Sequence, residues 1–319
     1  MMSIEKIFAD NGFSLGSGVL LSPLTSFGVG GRAAFYLAVN SEKELIKAVA
    51  LTRQAGLDHF VLAGGTNVVF GDGTVEKVVI HYDLDGEGID SRIEINGCEM
   101  ESEAGVPLAH LVRRTAALGL AGLESLAGIP GTVGGAVAGN AGAYGANISD
   151  RLTEVFIFDG CVCRWVPVSD LGFRYRYSRV KENNDWLVLR AKWRLDFGGR
   201  VELEETVRVI EKQRSEKYSG DLACPGSFFK NIPVDSLSSE ISSSLRVVAG
   251  KIPAGYLLEQ VGACGMSEGP IRVADWHGNL LINDGGGSFG QVRALSSRLK
   301  KKVKDHFGLK LEEEVVFVL

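Results

Sequence analysis

The chain reads as an α+β protein rather than a doubly wound one. Helical and strand-like stretches follow one another without a strict βα repeat. Glycine and alanine concentrate in one long, almost uncharged segment at residues 122–145, and strand alternation stops at the paired glycines Gly198 and Gly199, where a charged helical stretch begins.

Residues 41–56 open on a capping box, Ser41 with Glu44, carry Leu45, Ile46, Val49 and Leu51 at near-helical spacing and end on a glycine, which predicts a helix. Residues 59–63 predict a short buried strand running into Gly64-Gly-Thr-Asn67, a small-residue turn suited to presenting N–H groups to a phosphate. Strand-like runs follow at 77–81 and 92–95, and Pro107 opens a helix through Leu118. Residues 152–158 and 186–195 alternate as strands, and Cys161 and Cys163 lie two apart on one face of a further one. The break at 196–200 sets the expected domain boundary, with residues 1–198 as a first domain split near residue 75 and 199–319 as a second. The second part predicts helices at 201–217, 254–261 and 288–307, a hairpin at 271–283 turning at His277-Gly-Asn279, and a closing strand at 309–319 that returns to the first domain.

With 319 residues, 45% hydrophobic and 23% charged, the chain has the make-up of a globular protein of two or three domains. A formal net charge of −5 argues against a nucleic-acid partner, since backbone-phosphate binders carry a basic excess. No apolar run approaches the roughly 18 residues of a membrane span, and the N-terminal MMSIEKIFADNG lacks the order of a signal peptide, so a cytoplasmic protein is expected. The five cysteines, Cys98, Cys161, Cys163, Cys224 and Cys264, form no CxxC pair and predict reduced thiols with no metal site.

In residues 122–145 the glycines remove the Cβ atoms that would hold a ligand away, letting backbone N–H groups approach something large and anionic. Flexible linkers carry serine and charge; this run has Leu123, Leu126, Ile129, Val133 and Val137 to anchor it. A dinucleotide cofactor suits such a loop. Neither Gly28-Val-Gly-Gly31 nor Gly128-Ile-Pro-Gly-Thr-Val-Gly134 sits on a strand-turn-helix unit with an acidic residue about 20 positions on, which argues against a Rossmann site. There is also no GxxxxGK[ST] loop.

Six motifs occur in order along the chain: Thr25-Ser-Phe-Gly-Val-Gly-Gly31, Leu62-Ala-Gly-Gly-Thr-Asn67, Gly128-Ile-Pro-Gly-Thr-Val-Gly-Gly135, Asn140-Ala-Gly-Ala-Tyr-Gly145, Tyr175-Arg-Tyr-Ser178 and Gly226-Ser-Phe-Phe-Lys-Asn231. Together they resemble the UDP-N-acetylenolpyruvoylglucosamine reductase (MurB) family. The resemblance implies an FAD-binding fold of the vanillyl-alcohol-oxidase (PCMH) type made of two subdomains, with a smaller α+β domain for the nucleotide sugar. It further implies that NADPH reduces FAD and that the reduced flavin delivers hydride to the enolpyruvyl double bond of a UDP-sugar, giving UDP-N-acetylmuramate for peptidoglycan synthesis. The FAD contacts carried over are Gly64, Gly65, Thr66, Asn67, Gly128, Pro130, Gly131, Thr132, Gly134, Gly135, Asn140 and Gly142, with 141–145 near the flavin ring.

On the same resemblance, Arg176 and Glu314 stabilise the charge that develops at the substrate carboxylate, and Ser227 supplies the proton to C2. Glu314 serves that purpose as a protonated carboxyl. Glu312 and Glu313 adjoin it, and strand alternation would put Glu312 and Glu314 on one face. Arg174 and Arg179 read as surface ion-pair residues. Tyr175, Lys217, Asn231 and His277 are carried over as contacts to substrate or NADPH, and a monomer is expected. Cys264 stands where the family has a phosphate-anchoring lysine, leaving Lys251 and Arg272 as candidates to replace it. Pro225 replaces a small residue, and the short 180–185 connection has no room for the tyrosine lid of the longer branch. Two rival readings are an FAD-linked oxidase of sugars or alcohols and a nucleotide-sugar-binding regulator without catalysis. The first is disfavoured because no histidine lies in 122–145 to link a flavin, the second because Arg176, Ser227 and Glu314 are all retained.

Overall fold

The computed structural model describes residues 3–82, 84, 88–183, 185–218, 222–237 and 244–319; Met1 and Met2 of the N-terminal reading and Asn184 of the 180–185 connection lie outside them. The chain divides into two compact units, each α+β. The first comprises residues 1–16, 35–64 and 77–220, and the second residues 17–34, 65–76 and 221–319. The main division thus falls at 220/221, where a boundary at 198/199 had been expected. The helix Arg200–Lys217 is the reason. Leu203, Val207 and Ile210, at spacings of four and three, face inward and join the core of the first unit.

That core is built on a five-stranded antiparallel sheet. Its order is Cys163–Pro167, Leu152–Phe158, Leu187–Arg194, Glu99–Glu103, Ile93–Asn96. In the central strand Leu189, Ala191 and Trp193 point into the core, while Arg190 and Lys192 lie over Phe156 and Trp165 on the other face. The helix Glu42–Gln54 forms where its capping box predicts it. The Ser41 hydroxyl accepts the Glu44 N–H, but the Glu44 carboxylate accepts from Asn40, one residue before the cap. The strand His59–Leu62 pairs in parallel with residues 78–81 of Thr74–Tyr82. The helix Leu108–Ala117 follows Pro107 as expected. Cys163 is in a strand, whereas Cys161 precedes it in a turn held by the Asp159 carboxylate, so the two do not share a strand face.

The second unit contains a three-stranded meander, Ser267–Glu268, Ile271–Ala274 and His277–Asn283, packed by the helices Ala254–Gln260 and Phe289–Phe307. The hairpin reverses at Asp275 and Trp276, not at 277–279, and His277 already pairs with Ala274. The closing strand is Val316–Val318 only, and it pairs in parallel with Val68–Phe70 of the same unit. The long helix is capped twice. Ser288 and Gln291 form a capping box, and the Asp72 carboxylate accepts the N–H groups of Phe289 and Gly290.

Candidate active site

The glycine-rich segment is not all loop. Thr132 caps a short helix, Val133–Ala138, its hydroxyl accepting the Gly135 N–H. Part of the glycine requirement is internal, because a Cβ on Gly134 would stand 2.9 Å from the Ala104 Cβ. Beyond the helix the backbone enters the left-handed region at two residues with side chains, Asn140 (φ 43°) and Tyr144 (φ 51°). Such positions cost on the order of 1–2 kcal/mol each and cluster where function requires a particular shape.

The segment carrying Arg176 is bound to this one. Arg174 and Tyr177 exchange both backbone hydrogen bonds, leaving Tyr175 and Arg176 at the tip of a reversal in which Arg176 has φ 54°. The Asn140 amide donates to the Arg174 carbonyl at 3.0 Å, the Arg176 guanidinium to the Gly142 carbonyl at 3.2 Å, and the Ser178 hydroxyl to the Ala138 carbonyl at 2.7 Å. Arg176 also lies over the Tyr175 ring. Its neighbours are not ion-pair residues among the described residues. Arg174 stacks 3.4 Å from the Tyr177 ring centre, and Arg179 donates to the Asp170 carbonyl. Asn140 Oδ1 is buried and meets no hydrogen-bond donor among the described residues.

In the second unit, residues 65–67, 227–231 and 312–314 form one hydrogen-bonded group. Gly65 has φ 60°, and a Cβ there would lie 2.1 Å from the Leu24 carbonyl oxygen, so only glycine makes this turn. The Asn67 amide donates to the Glu314 carbonyl at 3.2 Å, and the Val316 N–H to the Asn67 carbonyl at 2.9 Å. The Glu314 N–H donates to the Phe228 carbonyl at 2.8 Å, Lys230 N–H to the Glu312 carbonyl at 2.9 Å, and Phe229 bridges to Glu313. Ser227 bridges on its other side to Leu280. Among the described residues the N–H groups of Gly65, Thr66 and Asn67 meet no acceptor.

The adjacent carboxylates of Glu312 and Glu313 diverge. Glu312 reaches the Lys230 ammonium on the surface. Glu313 turns inward to Ser296 at 2.8 Å and Lys300 at 2.9 Å.

The remaining expected contacts have local jobs of their own. Lys217 ends its helix over the Tyr218 ring. The Asn231 side-chain Oδ1 accepts the Ala254 N–H at 3.0 Å, capping a helix that Pro253 cannot cap. His277 Nδ1 accepts the Asn279 N–H at 3.0 Å, and Gly255 leaves room for its ring. Neither candidate for the missing lysine is a bare cation. Arg272 is paired to Asp284 at 2.7 Å with Asp275 nearby, and Lys251 reaches the Ala249 carbonyl from the strand Lys251–Ile252. Burial, with Glu259 and Asp275 beside it, pushes the Cys264 thiol up.

Three further residues hold the site's segments, and nothing in the sequence marks them for that role. Arg214 reaches from its helix to the Gly128 carbonyl at 2.9 Å, packing where a Cβ on Gly128 would collide with it. Asn279 binds Phe229, and Asp72 caps the long helix. Each acts on backbone fifty or more residues away in sequence, so no local pattern announces it.

Comparison with known proteins places these features. Residues 33–160 match the FAD binding domain, and residues 218–318 match the C-terminal domain of UDP-N-acetylenolpyruvoylglucosamine reductase. The UDP-N-acetylenolpyruvoylglucosamine reductase of Solibacter usitatus is 39% identical over 301 residues, 93% of this chain and 95% of its own. That of Rubrobacter xylanophilus is 36% identical, covering 91% of each chain. The crystal structure of the Thermus caldophilus enzyme (MurB) superposes with a TM-score of 0.74 at 28% identity, over 96% of this chain and all of its own. The α+β FAD-binding fold implied by the six motifs is therefore the fold of this chain, which belongs to the UDP-N-acetylenolpyruvoylglucosamine reductase family of FAD-dependent oxidoreductases.

Proposed function

We propose that the chain uses NADPH and FAD to reduce the enolpyruvyl group of UDP-N-acetylglucosamine enolpyruvate to UDP-N-acetylmuramate, with Arg176, Ser227 and Glu314 as the residues at the reacting atoms. The observation that carries this reading is the 2.8 Å bond from the Glu314 N–H to the Phe228 carbonyl. It joins the segments of the expected proton donor and of the expected acid, which are 87 positions apart (314 − 227) in sequence.

The residues present fit FAD. The N–H groups of Gly65, Thr66 and Asn67 are donors of the kind a pyrophosphate accepts from, and the buried Asn140 Oδ1 is an acceptor for a ring N–H. Gly64, Gly128, Pro130, Gly131, Thr132, Gly134, Gly135 and Gly142 complete the expected cradle. When bound, FAD supplies the hydride that NADPH provides and that substrate C3 accepts.

The chain's own groups handle charge and proton. Hydride arrival at C3 drives electrons toward the substrate carboxylate; the Arg176 guanidinium neutralises that charge, and Glu314 is the second group at the carboxylate. The strained backbone at Arg176 supports this role, since the guanidinium is aimed by a reversal tied to the 140–142 segment. The Ser227 hydroxyl gives its proton to C2. Tyr175, Lys217, Asn231 and His277 contact the substrate or NADPH, and the enzyme works as a cytoplasmic monomer on a small-molecule substrate. No helix among the described residues is long and apolar enough to cross a membrane.

Stopped-flow separation of the half-reactions tests the scheme. Ser227→Ala should leave flavin reduction by NADPH within about twofold of the parent and slow anaerobic reoxidation by the enolpyruvyl substrate by 10²-fold or more, the scale of a lost general acid, roughly 10²–10⁴. Unchanged reoxidation in Ser227→Ala overturns the assignment.

A further inference from the structure

We infer that Asn279 is a positioning residue for the reduction, its side-chain amide standing in for a peptide group to fix the backbone that carries Ser227. The inference rests on the role proposed for that serine.

The strand His277–Asn283 leaves its ladder just after the hairpin turn. Ala274 pairs with His277, but Val273 pairs with Leu281, so residues 278–280 bulge out of the pairing. Bulges re-aim side chains and backbone next to functional sites. Here the bulge turns toward 227–229. The Asn279 main-chain carbonyl accepts the Phe228 N–H at 3.0 Å, its Oδ1 accepts the Phe229 N–H at 2.8 Å, and its Nδ2 donates to the Phe229 carbonyl at 2.8 Å. Asn279 is 3% exposed, so water does not substitute for these bonds.

The bonds divide cleanly. Phe229 spends both its N–H and its carbonyl on the Asn279 amide, while the Phe228 carbonyl and the Lys230 N–H go to Glu314 and Glu312. Residues 227–230 therefore behave as a short central strand, with Asn279 on one side and the glutamate segment on the other. Asn279 is itself held, because its N–H donates to His277 Nδ1, which puts the proton of a neutral ring on Nε2. Only a carboxamide offers an adjacent acceptor and donor at this length; aspartate keeps the shape and the acceptor but sets an oxygen against the Phe229 carbonyl.

The test is a double-mutant cycle on the holoenzyme, read by reoxidation with the enolpyruvyl substrate, with amide exchange of the apoprotein as a second readout. Asn279→Ala should slow reoxidation on the order of 10²-fold, the cost of a displacement of about 1 Å at a reacting group. It should leave flavin reduction by NADPH near the parent rate. In the Ser227→Ala background the same substitution should add less than about threefold, because the serine it positions is gone. Phe228 and Phe229 amides should lose protection while the amides of Phe289–Phe307 keep theirs.

If Asn279→Ala slows reoxidation by the same factor with and without Ser227, Asn279 acts independently and the inference fails while the serine assignment stands. If Ser227→Ala itself has no effect, the functional reading fails and this inference with it. Asn279→Asp, which keeps the bond from the Phe229 N–H, serves where the alanine variant does not fold, with the same expectations. Failure of both variants to fold identifies Asn279 as a general core residue and overturns the positioning role.

Discussion

At Glu313, burial opposes the charged form, yet the Lys300 ammonium and the Ser296 hydroxyl outweigh it and hold the carboxyl below the ordinary carboxylate range. A folded-state value below the unfolded one contributes stability above the unfolded pKa of about 4.3 and loses it as pH falls through the folded value. Glu313→Gln is accordingly expected to destabilise the fold at pH 7 by about 1.5–3 kcal/mol, an effect that shrinks as the pH is lowered through and below the ordinary carboxylate range, as measured by urea unfolding across that series. A different mechanism operates at Gly65, where Ala would have to keep φ 60° with its Cβ 2.1 Å from a backbone oxygen. Gly65→Ala should cost at least about 2 kcal/mol and weaken FAD uptake, read as a lower melting point and loss of bound flavin. Residues of this kind were legible because the motif and the conformation coincide: Gly65, Asn140 and Arg176 all sit at positive φ inside the quoted motifs. Arg214 and Asp72 were not, because their partners are set by tertiary contact and an isolated Arg or Asp on a helix or loop reads as surface, and Asn279 was not, because it reads as part of a turn.

The elements that sequence pattern located are those with strong ends. Ser41, Pro107 and Ser288 mark helix starts that the structure keeps within a residue. Glu99–Glu103 escaped, since its alternation sets glutamates against only Met100 and Ser102, the latter a buried serine. The hairpin of 271–283 was found but its turn was misplaced, because Gly278 and Asn279 look like turn residues and instead form the bulge, while Asp275 and Trp276 make the reversal. The Phe289–Phe307 helix shows how an element can depend on a distant residue. Its first two N–H groups are bound by Asp72, and Asp72→Ala should cost about 1 kcal/mol, seen as a lower unfolding midpoint with faster amide exchange confined to the first turn. Loss of protection along the whole helix would show that the cap does more than close its end.

Across the whole molecule, the family match at 218–318 covers only part of a folding unit. The second unit also draws residues 17–34 and 65–76, which bring Phe27, Val29 and Val69 into its core and supply the strand paired with Val316–Val318. A fragment of residues 221–319 is therefore expected to stay largely unfolded, with poor amide dispersion by NMR. A cooperative thermal transition in the fragment would refute this. The interleaving was not legible in the sequence, since a strand of three residues such as Val68–Phe70 has no periodicity to show which partner it will take.

That parallel pair has a consequence for how the protein is made. Val68–Phe70 is synthesised long before its partner, which lies 248 positions later (316 − 68). While the chain between them is being made, the hydrophobic edge VVF lacks this native neighbour, the condition under which nascent chains pair wrongly or recruit chaperones. The second unit thus closes only once residues 316–318 have been made, and the bond from the Asn67 side-chain amide to the Glu314 carbonyl forms at that late step.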